Sequence, residues 1–214
     1  LEEAGGVPEV FMTAWDALFR QMGLQTGETL LIHAVGSGVG TAALQLARAA
    51  GVRTVGTSRT PEKVDRALEL GLDAGVLADE EGWIEEVMSA TGRRGVDVIL
   101  DLVGAAYLAD NVRALTEGGR WIVVGVPSGI RGEIDLRGLM GRRATVRGTV
   151  LRARPLEEKA ALAREFENRV VPLFERGALE PVIHGFFPPE EAGSAHAAME
   201  GNENFGKLIL EWEE

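Results

Sequence analysis

Between an apolar run and a stretch rich in helix formers lies Ala34-Val35-Gly36-Ser37-Gly38-Val39-Gly40. Small residues at such a junction let the backbone approach a pyrophosphate. The first turn of the following helix then offers that anion unpaired N–H groups and the positive end of its dipole. The strict G-x-G-x-x-G spacing fails, because Thr41 stands where the third glycine would fall. The segment is better written A-x-x-S-x-x-G, with Ala34, Ser37 and Gly40 at the tight positions. A glycine-rich turn without a ligand and a methyltransferase loop for S-adenosylmethionine are the rival readings.

The end of the next apolar run bears on the choice. A ribose diol calls for Asp or Glu there, about 20 residues past the loop, and an S-adenosylmethionine site expects an acid as well. This chain has Ser58-Arg59-Thr60 instead. Arg suits a 2′-phosphate. Thr60 fits a helix N-cap and Pro61 the first helical position, which puts Lys63 at the third, where the helix dipole prefers an acid. Ser58, Arg59, Thr60 and Lys63 therefore form a candidate phosphate clamp that favours NADPH over NADH. The plain alternative is a solvated basic turn.

Other reactive side chains assemble into no catalytic pattern. His33 sits inside an apolar run and reads as core. His184 and His196 are separated by Pro188-Pro189, with no carboxylate spacing that suggests a metal. Asp97 and Asp101 flank Val98-Ile99-Leu100 as strand ends rather than as an acid/base pair. Ser128 and Ser194 lack a nucleophile-elbow context. Cys is absent, which excludes disulfides, thiolate zinc ligation and a cysteine nucleophile. No catalytic residue and no metal ligand is assigned.

The elements that would position these groups alternate. Strands are expected at Thr29 to Ala34, Val52 to Thr57, Ala74 to Leu77, Val96 to Leu100, Trp121 to Val124 and Arg143 to Val150. Helices are expected at Phe11 to Met22, Thr41 to Ala50, Pro61 to Leu70, around Trp83 to Met88, and at Tyr107 to Leu115. Short apolar strands separated by helices imply right-handed crossovers and a parallel sheet covered on both faces. The expected fold is α/β, a doubly wound parallel sheet of the Rossmann kind over residues 1–150, with a C-terminal helix and strand extension over 151–214. That extension comprises one long helix from Leu156 to Arg176, a strand at Pro181 to His184, a helix from Glu190 to Met199 and a last strand at Lys207 to Glu211. The 214 residues carry 22 Lys and Arg against 33 Asp and Glu, a balance that argues against nucleic acid as the main partner. No apolar run approaches the roughly 18–20 residues of a membrane span and no signal peptide is evident, so a cytoplasmic protein is expected.

Several segments, in order, carry a resemblance. Gly27-Glu28-Thr29-Leu30-Leu31-Ile32-His33-Ala34 and Gly38-Val39-Gly40-Thr41-Ala42-Ala43 come first. Gly119-Arg120-Trp121-Ile122-Val123-Val124-Gly125, Leu151-Arg152-Ala153-Arg154 and Asn204-Phe205-Gly206-Lys207-Leu208-Ile209 follow. Together they resemble the NADPH-dependent quinone oxidoreductases, the zinc-free, zeta-crystallin-like branch of the medium-chain dehydrogenases and reductases, and within it the p53-inducible type. The resemblance implies hydride transfer from NADPH to a quinone or an α,β-unsaturated carbonyl. It places Thr13 beside the cofactor, Ser37, Gly38 and Val39 at the pyrophosphate, and Thr60 and Lys63 at the 2′-phosphate. Val103-Gly104 and Val124-Gly125-Val126 would border the nicotinamide half, which Asn204 reaches from the C-terminal segment. Where the family often has a Tyr near the adenosine phosphate, this chain has Ala78. The family pairs the edge strand near Val146 to Val150 with its twin in a homodimer. It also precedes the cofactor domain with a GroES-like domain that supplies most of the substrate pocket, and this sequence starts where that domain hands over. An inactive nucleotide-binding module is the alternative function.

Overall fold

The computed structural model describes residues 2–78 and 82–212. Its central sheet is built from Thr29–Ile32 (β1), Arg53–Ser58 (β2), Ala74–Leu77 (β3), Val96–Asp101 (β4), Leu115–Val123 (β5) and Thr145–Gly148 (β6). The strands run parallel in the order β3-β2-β1-β4-β5-β6. Every residue of β1 and of β4 is buried, as expected for strands covered on both faces. The two-residue strand period divides them between two cores. Leu30 and Ile32 join Phe11, Leu18, Leu44 and Leu100 on one side, while Leu31 joins Val55, Ile99 and Trp121 on the other. The α/β doubly wound fold is the architecture of this chain.

Helices α1 (Pro8–Trp15), α2 (Gly38–Ala49), α3 (Pro61–Glu69), α4 (Trp83–Ala90), α5 (Leu108–Ala114) and α6 (Leu136–Arg142) cover the sheet. A π-helical turn, Asp16–Gln21, continues α1. Helix α2 starts three residues before the expected Thr41, because Ser37 already caps it. Helix α6 lies in a stretch where the sequence suggested none. Beyond the sheet, the single helix expected from Leu156 to Arg176 is two, α7 (Leu156–Arg169) and α8 (Val171–Glu175). Pro172 opens the second, since it can neither donate to the preceding turn nor fit inside a continuous helix. Leu162 and Phe166 of α7 bury in the same core as Phe11. The strand expected at Pro181 to His184 shifts to Ile183–Phe187 (β7), and it pairs in parallel with Lys207–Leu210 (β8) across helix α9 (Ala192–Glu200).

Candidate functional site

The carboxyl ends of β1, β2 and β4 open onto a cleft of about 790 Å³, at the switch point where β1 gives way to β4 and ligands bind in such sheets. Ser37 forms one rim. It is the N-cap of α2, and its Oγ accepts from the Gly40 N–H at 3.0 Å. The Ser37 N–H itself donates to the Ala34 carbonyl at 2.9 Å. The amides of Gly38 and Val39, both lining the cleft, fall in the first turn and have no intrahelical acceptor. Gly40 does not line the cleft. A Cβ there would sit 2.5 Å from the Ala34 carbonyl oxygen, so glycine is what lets α2 close onto the loop. Two N–H groups at the head of a twelve-residue helix and a backbone free of side-chain bulk form a cradle that fits a pyrophosphate.

At the end of β2, Ser58, Arg59 and Lys63 all line the cleft. Ser58 is buried and Arg59 exposed. Thr60 occupies the N-cap position of α3 but makes no capping hydrogen bond with its side chain. The Thr60 N–H instead donates to Ser58 Oγ at 3.3 Å. Lys63 donates from Nζ to Asn202 Oδ1 at 2.7 Å. Partial burial, followed by the nearby Arg59 and Arg66 charges, pushes the Lys63 ammonium below its usual pKa. Arg59 and Lys63 line this end of the cleft, with Arg66 the next cation along α3, and such a set can hold an anion.

At the far side Val103 lines the cleft, while Gly104, Val124, Gly125 and Val126 do not. Their loops are tied together: Val124 donates to the Asp101 carbonyl at 2.8 Å and Ser128 to the Val103 carbonyl at 3.0 Å. Gly104 has φ +92, and a Cβ there would lie 2.8 Å from Val126 Cα, so no side chain fits between the two loops. Asn204 also lines the cleft, whereas Thr13, half-buried on α1, does not.

Below the cleft, His33 and Asp101, a core residue and a strand end by their sequence context, belong to a buried polar chain. The carboxylate of Asp101 accepts from the N–H groups of Val103 (2.8 Å) and Gly104 (2.9 Å), from Asn111 Nδ2 (3.0 Å) and from Trp121 Nε1 (3.1 Å). With its amide nitrogen committed to Asp101, Asn111 presents Oδ1 to His33 Nε2 at 2.7 Å. Neutral His33 therefore carries its proton on Nε2, and Nδ1 accepts from Thr57 Oγ1 at 2.9 Å. Burial lowers the pKa of His33 against the raising effects of Asp101 and Asn111. Tyr107, absent from the residues singled out in the sequence, also lines the cleft. Its signal is a contact rather than a spacing, so no motif could have found it. Among the described residues no three His, Asp or Glu side chains gather as a metal-binding group.

The zinc-binding dehydrogenase family matches residues 38–168. The chain is 32% identical to the quinone oxidoreductase of Rattus norvegicus over 206 residues, which is 96% of this chain and 60% of the relative. Among solved structures, an NAD-dependent alcohol dehydrogenase superposes with a TM-score of 0.87 at 32% identity, over 98% of this chain and 59% of that one. The CurK enoyl reductase superposes with a TM-score of 0.84 at 27% identity, over 99% and 62%. The chain thus spans about 60% of the length of the curated relatives it matches.

Proposed function

The chain belongs to the zinc-binding dehydrogenase family, and from that membership we propose that it is the cofactor-binding part of an oxidoreductase specific for NADPH. The family uses nicotinamide cofactors, and the quinone oxidoreductase and enoyl reductase relatives support an oxidoreductase. The proposed acceptor is a quinone or an α,β-unsaturated carbonyl. Bound NADPH supplies the hydride. The cradle at the head of α2 fits the dinucleotide, and the residues do the rest by binding and orienting. The amides of Gly38 and Val39, backed by Ser37 and Gly40, take the pyrophosphate. Ser58, Arg59, Thr60 and Lys63 take the 2′-phosphate. Val103, Gly104, Val124, Gly125 and Val126 border the nicotinamide half, with Thr13 and Asn204 flanking it. No side chain is assigned as a proton donor, and solvent protonates the product. No residue among those described is assigned to a metal.

What carries the choice of NADPH is the end of β2, where Ser58 and Arg59 stand beside Lys63 in the cleft in place of the carboxylate that holds a ribose diol. The NAD-dependent structural neighbour makes NADH the rival. Calorimetric titration of the 214-residue chain with both cofactors decides: selective NADPH binding is expected, and equal affinity would overturn the clamp. Turnover of 1,2-naphthoquinone with NADPH tests the acceptor, and binding without turnover would favour a nucleotide-binding module.

The reading extends to assembly. We take residues 151–214 as the extension of the cofactor domain, with the segment from Val182 onward packing on a GroES-like domain. A homodimer forms through β6, which lies at the sheet edge with all its residues exposed. A cytoplasmic location is part of the same proposal. No helix among the described residues is long and apolar enough to cross a membrane.

A further inference from the structure

Tyr107 is the sole tyrosine of the chain. It closes the 3₁₀ turn Ala105–Tyr107 that leads from β4 into α5, and it is half-buried. Its ring centroid lies 4.7 Å from His33 and 4.9 Å from Trp83, and these two in turn meet edge to face at 5.1 Å. His33 and Trp83 are both buried. Hydrogen bonds to Thr57 and Asn111 fix His33 on both ring nitrogens, so the support beneath Tyr107 is rigid.

The outer side of Tyr107 is a cleft wall, shared with Ser58, Arg59 and Ala78. Ser58 ends β2 and Ala78 follows β3, so this wall lies beside the basic cluster. Among the described residues the phenol hydroxyl makes one hydrogen bond, a long 3.4 Å donation to the Ala78 carbonyl. A tyrosine placed only to fill a core would bury its ring entirely and give its hydroxyl a shorter partner. Here the side chain is held firmly from behind, bonded weakly at its tip and open in front. Ala78, which lines the same end of the cleft, contributes only a methyl group.

We propose that Tyr107 is the aromatic surface on which the purine ring of the dinucleotide stacks, which makes it a cofactor-binding residue for the adenosine half. The claim rests on the NADPH reading above and deepens it. Stacking on a braced aromatic needs no reorganisation when the ligand arrives. The adjacent guanidinium of Arg59 adds its charge beside the ribose phosphate. Removing such a platform costs about tenfold in affinity.

The test uses the lone tyrosine as its own reporter. Protein labelled with tyrosine carrying 13C at the ring ε positions alone gives a single averaged ring signal, to be titrated with adenosine 2′,5′-bisphosphate and separately with nicotinamide mononucleotide. The bisphosphate is expected to move the signal through the purine ring current, and the mononucleotide to leave it in place. Tyr107→Leu, which keeps the space filled without a π face, is expected to weaken the bisphosphate about tenfold, and Tyr107→Phe less than twofold. Wild-type binding of the bisphosphate with an unmoved tyrosine signal overturns the assignment and leaves the NADPH reading standing. Equal affinity of the Leu variant does the same. A loss in Phe as large as in Leu overturns the stacking role, because it assigns the effect to the hydroxyl. A wild type that binds neither the bisphosphate nor NADPH overturns both.

Discussion

Lys63 Nζ donates to Asn202 Oδ1 at 2.7 Å, joining α3 to the turn before the last strand across 139 positions of sequence. The contact belongs to a clasp. The Gly206 N–H donates to the Gly36 carbonyl at 2.8 Å, and the Arg66 guanidinium lies 4.4 Å from the Phe205 ring centre. The C-terminal segment thus holds the glycine loop and the basic cluster in one register. Asn202 sits at φ +58, a conformation that Asn tolerates and Gly adopts freely.

Two substitutions separate what Lys63 and Asn202 contribute. Lys63→Met removes a charge-assisted contact to the 2′-phosphate and should weaken NADPH about tenfold or more, with NADH affinity nearly unchanged. Asn202→Gly preserves the turn and frees the ammonium. A milder loss, about threefold, is expected for NADPH alone. Calorimetry with both cofactors reads the two effects. Loss of NADH affinity equal to that of NADPH would assign these residues to the scaffold.

The parallel sheet was legible because strands buried on both faces read as short, uniformly apolar runs, as Leu30-Leu31-Ile32 and Val98-Ile99-Leu100 do. The basic cluster was legible because Ser58 through Lys63 are adjacent in sequence. Helix α6 was not: Leu136-Arg137-Gly138-Leu139-Met140-Gly141-Arg142 carries two glycines and buries no residue, so it shows no helical period. The break at Pro172 was written in the sequence, but the Glu, Arg and Ala pattern on either side masked it. Tyr107 and the His33–Asn111–Asp101 chain were invisible because their partners come from different strands and helices. Ala78 stands where the family often has a Tyr, and the Tyr107 hydroxyl reaches the Ala78 carbonyl from a neighbouring element.

Acidification should weaken the fold through His33. Its folded pKa is depressed by burial, so between that value and the unfolded value of about 6.5 the unfolded chain binds more protons. The stability due to neutral His33 is complete above about pH 6.5 and declines as the pH falls, by at most about 1.4 kcal/mol per pH unit. Denaturant unfolding from pH 7.5 to 5.5 measures the slope. His33→Gln stays neutral throughout and should flatten it, whatever the cost to absolute stability. An unchanged slope in that variant would remove His33 as the source.

Asp101 organises the loop after β4. Its fully buried carboxylate receives two backbone amides, Asn111 and Trp121. Asp101→Asn replaces one acceptor oxygen with a donor that faces other donors. The expected cost is about 3 kcal/mol, seen as a melting point lower by roughly 6–12 °C in a chain of this size. Asn111→Ala removes one donor and leaves the loop amides bonded, so it should cost less. A melting point unchanged in Asp101→Asn would contradict the network.

A second buried carboxylate fixes the segment after β6. Arg154 grips Asp16 with Nη1 at 3.0 Å and Nη2 at 2.6 Å, and Nη2 also donates to Thr149 Oγ1 at 2.7 Å. Asp16 is 3% exposed. Removing Arg154 alone leaves a buried charge with only Gln21 and a long 3.4 Å contact to Arg20. Arg154→Met should therefore cost about 3 kcal/mol, and adding Asp16→Leu should recover part of it, because the pair's desolvation cost disappears with it. A double-mutant cycle by urea unfolding tests this; additive losses would mean that the two side chains do not depend on each other.

The edge of the sheet gives the last prediction. Among the described residues strand β6 pairs only with β5, which leaves one row of backbone groups open, and Val146 is 42% exposed with Met140 at 78% on the preceding helix. An unguarded edge of this kind recruits another strand, and in the proposed homodimer that strand is its own copy. A twofold axis through this four-residue strand brings the residues near its middle close to their own images, so Val146→Lys sets like charges near each other and leaves the monomer's core untouched. Sedimentation velocity should find the wild type as a dimer at micromolar concentration and Val146→Lys as a monomer with an unaltered melting transition at low concentration. A variant that still sediments as a dimer would move the interface away from β6, and a monomeric wild type would remove it altogether.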